Sequence, residues 1–170
     1  MLEGRAAGEN DVAEARFRAL AERQRLHWAL GEVEQERADL EALQQLAAAL
    51  GDPQRQMEAL NRQARFLVET LDEYEAGRAE AEKALTLARQ HGEPAVEAAA
   101  LDLLGRIAYA TDDYEQAAGH FQAALALWQG CGVVAELPQT RIRLGKAFKM
   151  MGKLDETRRQ LDAARGEAQA

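Results

Sequence analysis

The sequence predicts an all-α solenoid of four helix–turn–helix units, eight helices in all. Three observations predict it. Ala, Leu, Glu, Gln and Arg dominate the 170 residues, and all are good helix formers. β-branched residues never form a run, so no segment reads as a strand. Turn residues recur in two interleaved series of one period, so each period holds two helices.

The first series is Gly51-Asp52-Pro53, Gly92-Glu93-Pro94 and Gly132-Val133-Val134, spaced 41 (92 − 51) and 40 (132 − 92). The second is Gly31-Glu32-Val33, Asp72-Glu73-Tyr74, Asp112-Asp113-Tyr114 and Gly152-Lys153-Leu154, spaced 41, 40 and 40. The turns divide the chain into repeats of about 12–51, 52–92, 93–132 and 133–168, with helices of roughly 16–19 residues. The segment before them, residues 1–10 (MLEGRAAGEN), is polar and Gly-rich and reads as a disordered lead-in, with the first helix starting near Asp11, a good N-cap residue.

Within the third repeat, Leu101, Leu104, Ile107 and Ala108 form one apolar stripe, and Tyr114, Ala117, Phe121, Ala124 and Leu125 form another. Such a helix pair cannot bury both stripes alone, so it must pack on its neighbours. The fourth repeat begins irregularly. Pro138 lies six residues past Gly132, whereas Pro53 and Pro94 lie two past their glycines. Proline is tolerated only in the first helical turn, so the seventh helix is expected to start near Ala135 to Leu137 and to be the shortest of its kind.

Leu101-x2-Leu104-Gly105-x2-Ala108, then Asp112-Asp113-Tyr114, then Ala117-x3-Phe121-x2-Ala124 resembles the tetratricopeptide (TPR) repeat pattern. Gly105 and Ala117 would let the paired helices approach closely, with Phe121 and Tyr114 filling the space between them. The fourth repeat matches through Leu144-Gly145, Phe148, Gly152-Lys153-Leu154, Leu161 and Ala164. The second matches through Ala64, Val68, Asp72-Glu73-Tyr74, Gly77, Ala81 and Ala84, and the first through Leu20, His27, Gly31-Glu32-Val33, Leu40 and Leu43. Gln24 and Arg65 stand where Gly105 and Gly145 stand, and Glu36 and Thr157 stand where Ala117 stands. The period exceeds the about 34 residues of the common form, so the chain is similar to the long-period subgroup. The resemblance implies a right-handed α-solenoid that works as a protein-interaction scaffold.

It also implies that the first helix of each repeat lines a concave face where partner peptides lie. Helical phase then places Arg18, Ala21, Arg25 and Trp28 there from the first repeat, and Ala59, Arg62, Phe66 and Glu69 from the second. The third gives Ala99, Asp102, Arg106 and Tyr109, and the fourth Gln139, Ile142, Lys146 and Lys149. Four Arg and two Lys against one Asp and one Glu make a local balance of +4 in a chain of net charge −8. With the aromatic faces of Trp28, Phe66 and Tyr109, the set reads as a groove for an acidic peptide or helix with aromatic or aliphatic anchors. The same cations are also what a solvated helix face carries. Asn10 and Asn61, the only asparagines, do not recur in phase with the cations, so the carboxylate clamp for chaperone tails known in the family is not expected.

The net charge argues against nonspecific binding to nucleic acid or anionic membranes. No stretch reaches the about 18 apolar residues of a membrane span. No secretory signal is visible, and the lone Cys131 excludes an intrachain disulfide, so the expected location is the cytoplasm. His27, His91 and His120 have no metal-ligand spacing with each other or with Cys131. Gly145-Lys146 lacks the flanking glycines of a phosphate loop. No nucleophile–base constellation is visible, so neither catalysis nor a cofactor nor a metal is expected. The primary expectation is a scaffold for another protein. The alternatives are a sensor or regulatory arm of a larger signalling ATPase or transcription regulator, and a self-associating array whose ends meet in a homodimer.

Overall fold

The computed structural model describes the backbone of residues 2–169 and the side chains of residues 11–169. Eight helices follow in order: α1 (Leu2–Leu30), α2 (Val33–Leu50), α3 (Pro53–Glu69), α4 (Tyr74–His91), α5 (Pro94–Ala110), α6 (Tyr114–Cys131), α7 (Leu137–Met150) and α8 (Leu154–Glu167). Among the described residues there is no strand. Consecutive helices pack as hairpins, and each hairpin packs on the next. This is the all-α solenoid of four helical hairpins that the turn series predict.

Every turn passes through one residue of left-handed conformation. These are Gly31, Gly51, Asp72, Gly92, Asp112, Gly132 and Gly152, with φ from 55° to 75°. Their spacing of 20 or 21 residues is half the sequence period. Gly adopts this conformation freely, and Asp tolerates it better than most residues. At both aspartates the carboxylate accepts from the tyrosine two residues on: Tyr74 Oη donates to Asp72 at 3.0 Å, and Tyr114 donates likewise to Asp112. Asp113 caps α6 by accepting from the Gln116 N–H at 3.0 Å, and Asp52 caps α3 through Gln54 N–H at 3.0 Å.

Two helices depart from the even pattern. α7 starts at Leu137 with Pro138 in its first turn and has 14 residues, against 17 in α3 and α5. The expected short helix is therefore observed. α1 differs from expectation: its backbone is helical from Leu2, not from Asp11 after a disordered lead-in. The helix formers Leu2, Glu3, Arg5, Ala6, Ala7 and Glu9 carry it through Gly4 and Gly8.

The core runs the length of the array in three linked groups. Phe17, Leu40, Leu43 and Phe66 fill the first hairpin and its junction with α3. Ala64, Val68, Leu103, Leu104 and Ile107 fill the middle. Phe121, Leu125, Trp128, Leu144 and Phe148 fill the C-terminal half. Gly105 sits under the Phe121 ring: a Cβ there would lie 2.7 Å from Cε1. The close approach expected of this glycine is thus real.

The first-type helices are joined by a polarised ladder of side chains. Each rung is an arginine on the later helix donating to an acceptor on the earlier one. Arg55 pairs with Glu14, and Arg62 donates to Gln24 Oε1 at 2.8 Å and to the Ala21 carbonyl at 3.2 Å. Arg106 meets Glu69 at 2.5 Å, and Arg143 meets Asp102 at 2.9 Å. Among the described residues no Cα of α1 comes within 8 Å of a Cα of α3, whereas α3 and α5, and α5 and α7, do make such approaches. Long side chains alone span the first interval, and a cleft opens there.

Candidate functional site

The cleft has a volume of about 540 Å³ and spans four helices. α1 supplies Gln24, Arg25 and Trp28, and α2 supplies Glu36. α3 supplies Gln54, Glu58, Asn61, Arg62, Arg65, Phe66 and Glu69, and α5 supplies Ala95, Val96, Ala99 and Leu103. Small residues on α5 and the missing backbone contact between α1 and α3 leave the space open. Trp28 is half-exposed on the cleft's α1 side.

Of the groove residues expected from helical phase, the structure brings Arg25, Trp28, Arg62 and Phe66 to this cleft, together with Glu69 and Ala99. It does not bring Arg18, Asp102, Arg106, Tyr109, Lys146 or Lys149 to its lining. Phe66 requires a correction. Its ring is 1 % exposed and lies beneath the Arg37 guanidinium at 5.3 Å, so it is core and not an aromatic face offered to a partner. α3 packs between α2 and α4 and also meets α5, so its buried arc is wider than one stripe. Asp102 is likewise buried, held by Thr140 Oγ1 at 3.0 Å and by Arg143. Tyr109 is half-buried, edge-on to Tyr114 with ring centroids 5.4 Å apart.

Three of the six cations expected in the groove are paired within the chain at close range. Arg62 pairs with Glu58 at 2.9 Å, Arg106 with Glu69, and Arg25 with Glu22 at 2.8 Å. The cleft itself holds three arginines (25, 62, 65) and three glutamates (36, 58, 69), a formal balance of zero. Arg18 is exposed and lies 4.0 Å from Glu14, while Lys146 and Lys149 are exposed on α7.

The glutamates of the cleft differ in environment. Burial pushes Glu69 upward, but the Arg106 hydrogen bond and charge, with Arg65 beside it, outweigh this and hold it below the ordinary carboxylate range. Glu36 is 2 % exposed. Burial pushes its carboxyl above that range, and the charge of Glu69 adds to this, against the opposing Gln24 hydrogen bond. Gln24 Nε2 donates to Glu36 Oε1 at 2.7 Å. Reading the groove from first-type helices alone misses Glu36. The signal in the sequence was its place: a carboxylate where the third repeat has Ala117.

Among the described residues no group of three or more His, Cys, Asp or Glu side chains is placed to hold a metal ion. No described helix is long and apolar enough to cross a membrane. Cys131 is exposed and points its thiol at the Trp128 carbonyl, 3.6 Å away.

No family model and no curated protein matches the chain. Solved structures do. BtubC (BKLC) from P. vanneervenii superposes with a TM-score of 0.78 at 20 % identity, over 92 % of this chain and 64 % of that one. The TPR domain of Arabidopsis FLU gives 0.65 at 16 % identity, over 69 % of this chain and 98 % of that domain. The signal transduction ATPase with numerous domains PH0952 from Pyrococcus horikoshii, which carries a tetratricopeptide repeat sensor, gives 0.75 at 15 % identity, over 91 % of this chain and 24 % of that protein. The chain thus spans less than two thirds of the first and about a quarter of the last. At these identities the likeness is one of fold, and it agrees with the turn series, the helix count and the glycine under Phe121: the chain has the tetratricopeptide-repeat fold, four long-period helical hairpins in one array.

Proposed function

We propose that the chain is a protein-interaction module that holds a segment of a partner protein, peptide or helix, in the cleft bounded by α1, α3 and α5. The observation that carries this reading is the cleft itself, with a volume of about 540 Å³. It is open between two first-type helices whose backbones do not touch, and Val96, Leu103, Ala99 and the half-exposed Trp28 supply apolar wall. A large aromatic at a rim with guanidinium groups beside it is the composition of an interface anchor point. Exposed Lys146 and Lys149 on α7, with Arg18 and Arg25 on α1, favour acidic residues in the parts of the partner that run outside the cleft. The function needs no catalysis, and we place it in the cytoplasm, where the exposed Cys131 stays reduced.

A second reading, the sensor or regulatory arm of a larger signalling protein, draws on the likeness to PH0952. It uses the same cleft for input, so both readings predict a ligand there. The self-associating alternative draws on exposed Met150, Leu154 and Leu161 at the C-terminal end and Leu26 and Leu30 near the end of α1.

A photo-crosslinking side chain at Ala99, inside the cleft, tests the reading against the same group at Glu82 on α4. Capture of a discrete protein from Ala99, absent from Glu82 and lost in Trp28→Ala, is the expected result. Equal yields at both positions would remove the cleft from the function. Light scattering on a size-exclusion column decides the self-association alternative: a mass near 18.7 kDa is a monomer.

A further inference from the structure

The cleft's charged side chains are nearly all matched. Glu58 meets Arg55 at 2.8 Å and Arg62 at 2.9 Å, and Glu69 meets Arg106 at 2.5 Å and Arg65 at 3.3 Å. Arg25 meets Glu22. Glu36 stands apart: it is the one carboxylate of the cleft with no cation within 4.0 Å among the described residues, and it is the most deeply buried of the three. Its partner is the neutral amide of Gln24, whose own oxygen is taken by Arg62. A buried carboxylate with only a neutral donor is expensive to keep ionised. His27 and Arg65 offset this only in part, and Arg65 is shared with Glu69.

We propose that Glu36 is the counter-ion of a cationic side chain, lysine or arginine, that the bound segment inserts into the cleft. This deepens the reading above and rests on it. A guanidinium or ammonium seated there supplies the charge that Glu36 lacks, at a site where water is largely excluded and a charge-assisted hydrogen bond is strong. Trp28 lines the same cleft, and its indole face is a second attractor for a cation. A divalent metal does not fit, since Glu58 and Glu69 are both committed to arginines and no cluster of metal-binding groups is present among the described residues. Arg65, on the α3 wall, does not fill the role from within, because its Nε is directed to Glu69.

The test uses the full chain and four capped tripeptides, Ala-X-Ala with X = Arg, Lys, Leu or Glu, read by the NMR signals of the Gln24 side-chain amide and the Trp28 indole N–H. Saturable shifts at millimolar Arg and Lys peptide, with roughly tenfold weaker binding of Leu and Glu, are expected. Glu36→Gln, which keeps the shape and removes the charge, should abolish that preference and leave the Leu peptide unaffected. Binding of Leu as strong as Arg would overturn the counter-ion role while leaving the groove in place. A cation preference intact in Glu36→Gln would overturn it too, as would no shift with any peptide. If crosslinking at Ala99 also fails, the groove reading falls with it.

Should the variant not fold, the wild-type chain supplies the readout. The groups facing Glu36 are Gln24 and His27 from α1 and Arg65 and Glu69 from α3. The Arg preference should disappear as pH is lowered through the titration of the Glu36 carboxyl, followed by its own ¹³C shift. A preference that outlasts that protonation would sink the proposal.

Discussion

Gln24 donates to Glu36 at the same helix crossing, twelve residues apart, at which the third repeat sets Gly105 against Ala117. The fourth repeat has Gly145 and Thr157 there, with the threonine hydroxyl donating to the Gly145 carbonyl at 3.3 Å. The second has Arg65 and Gly77, the glycine this time on the second-type helix. One crossing is thus built four ways, and only in the first repeat do two long polar side chains meet across it. Replacing Gln24 with Leu strands the Glu36 carboxylate without its donor. The expected loss is about 1–3 kcal/mol of unfolding free energy, read from the urea midpoint.

The two glycines that first-type helices bring to the crossing should respond oppositely to an added methyl. A Cβ at Gly105 meets Phe121 Cε1 at 2.7 Å, and that ring is 1 % exposed and cannot retreat. Gly105→Ala should lose about 1–3 kcal/mol through overpacking. A Cβ at Gly145 meets Leu161 at 3.5 Å, an ordinary contact, and Leu161 is exposed. Gly145→Ala should gain up to about 1 kcal/mol from helix propensity. Thermal melts of the two variants, side by side, check the pair.

Stability should depend on pH in opposite senses through Glu36 and Glu69. Glu36 is raised in the folded chain, so the folded state binds the proton more readily. Its contribution grows as pH falls from above the raised value toward the ordinary carboxylate range, and is lost on the way back up. Glu36→Gln should therefore be more stable than wild type at neutral pH, with the difference closing as pH falls. Glu69 is lowered, so its stabilisation is present above the ordinary range and lost as pH falls through its folded value. Glu69→Gln should be less stable at neutral pH, and that difference should also close in acid. Urea midpoints across pH for the three proteins give the answer.

At the left-handed turn positions, Asp72 and Asp112 stand where Gly31 and Gly152 stand. Asp72→Ala removes the carboxylate that Tyr74 holds and keeps a Cβ in a conformation disfavoured by about 1–2 kcal/mol. Asp72→Gly removes the same hydrogen bond but relieves the backbone. The glycine variant should melt above the alanine variant, and equal melting temperatures would show that φ at residue 72 is not held at the turn value.

Arg143→Met leaves Asp102, 7 % exposed, with Thr140 as its one remaining donor. A loss of about 1–3 kcal/mol is expected, whereas Lys146→Met, on an exposed position of the same helix, should change stability little.

The fold was legible because its punctuation is local. A residue that must turn left-handed is visible as Gly or Asp whatever surrounds it, and seven such residues divide the chain into eight helices. Pro138 marked the short α7 for the same reason. The site was less legible because its determinants are distant. Phase alone assigned Phe66 to the open face, but α3 has neighbours on three sides and the ring went to the core. Arg106 looked free until its partner appeared 37 residues earlier, at Glu69. Glu36 was visible as an anomaly in the repeat, yet nothing in the spacing said that a second-type helix contributes to the cleft.

The interval between α1 and α3 has a mechanical meaning. Every interval between first-type helices carries arginine rungs, but α3 and α5, and α5 and α7, also bring Cα atoms within 8 Å of each other. Between α1 and α3 the brace is made of guanidinium groups, which can lengthen, swing or let go without disturbing the helices that carry them. The joint next to the N-terminal hairpin therefore rests on α2–α3 packing and these rungs, with less backbone approach than the joints beyond it. A bending load, or an arriving partner, concentrates its strain at that joint. Amide exchange in α1 should accordingly be fast and graded, while α3 to α7 exchange as a unit.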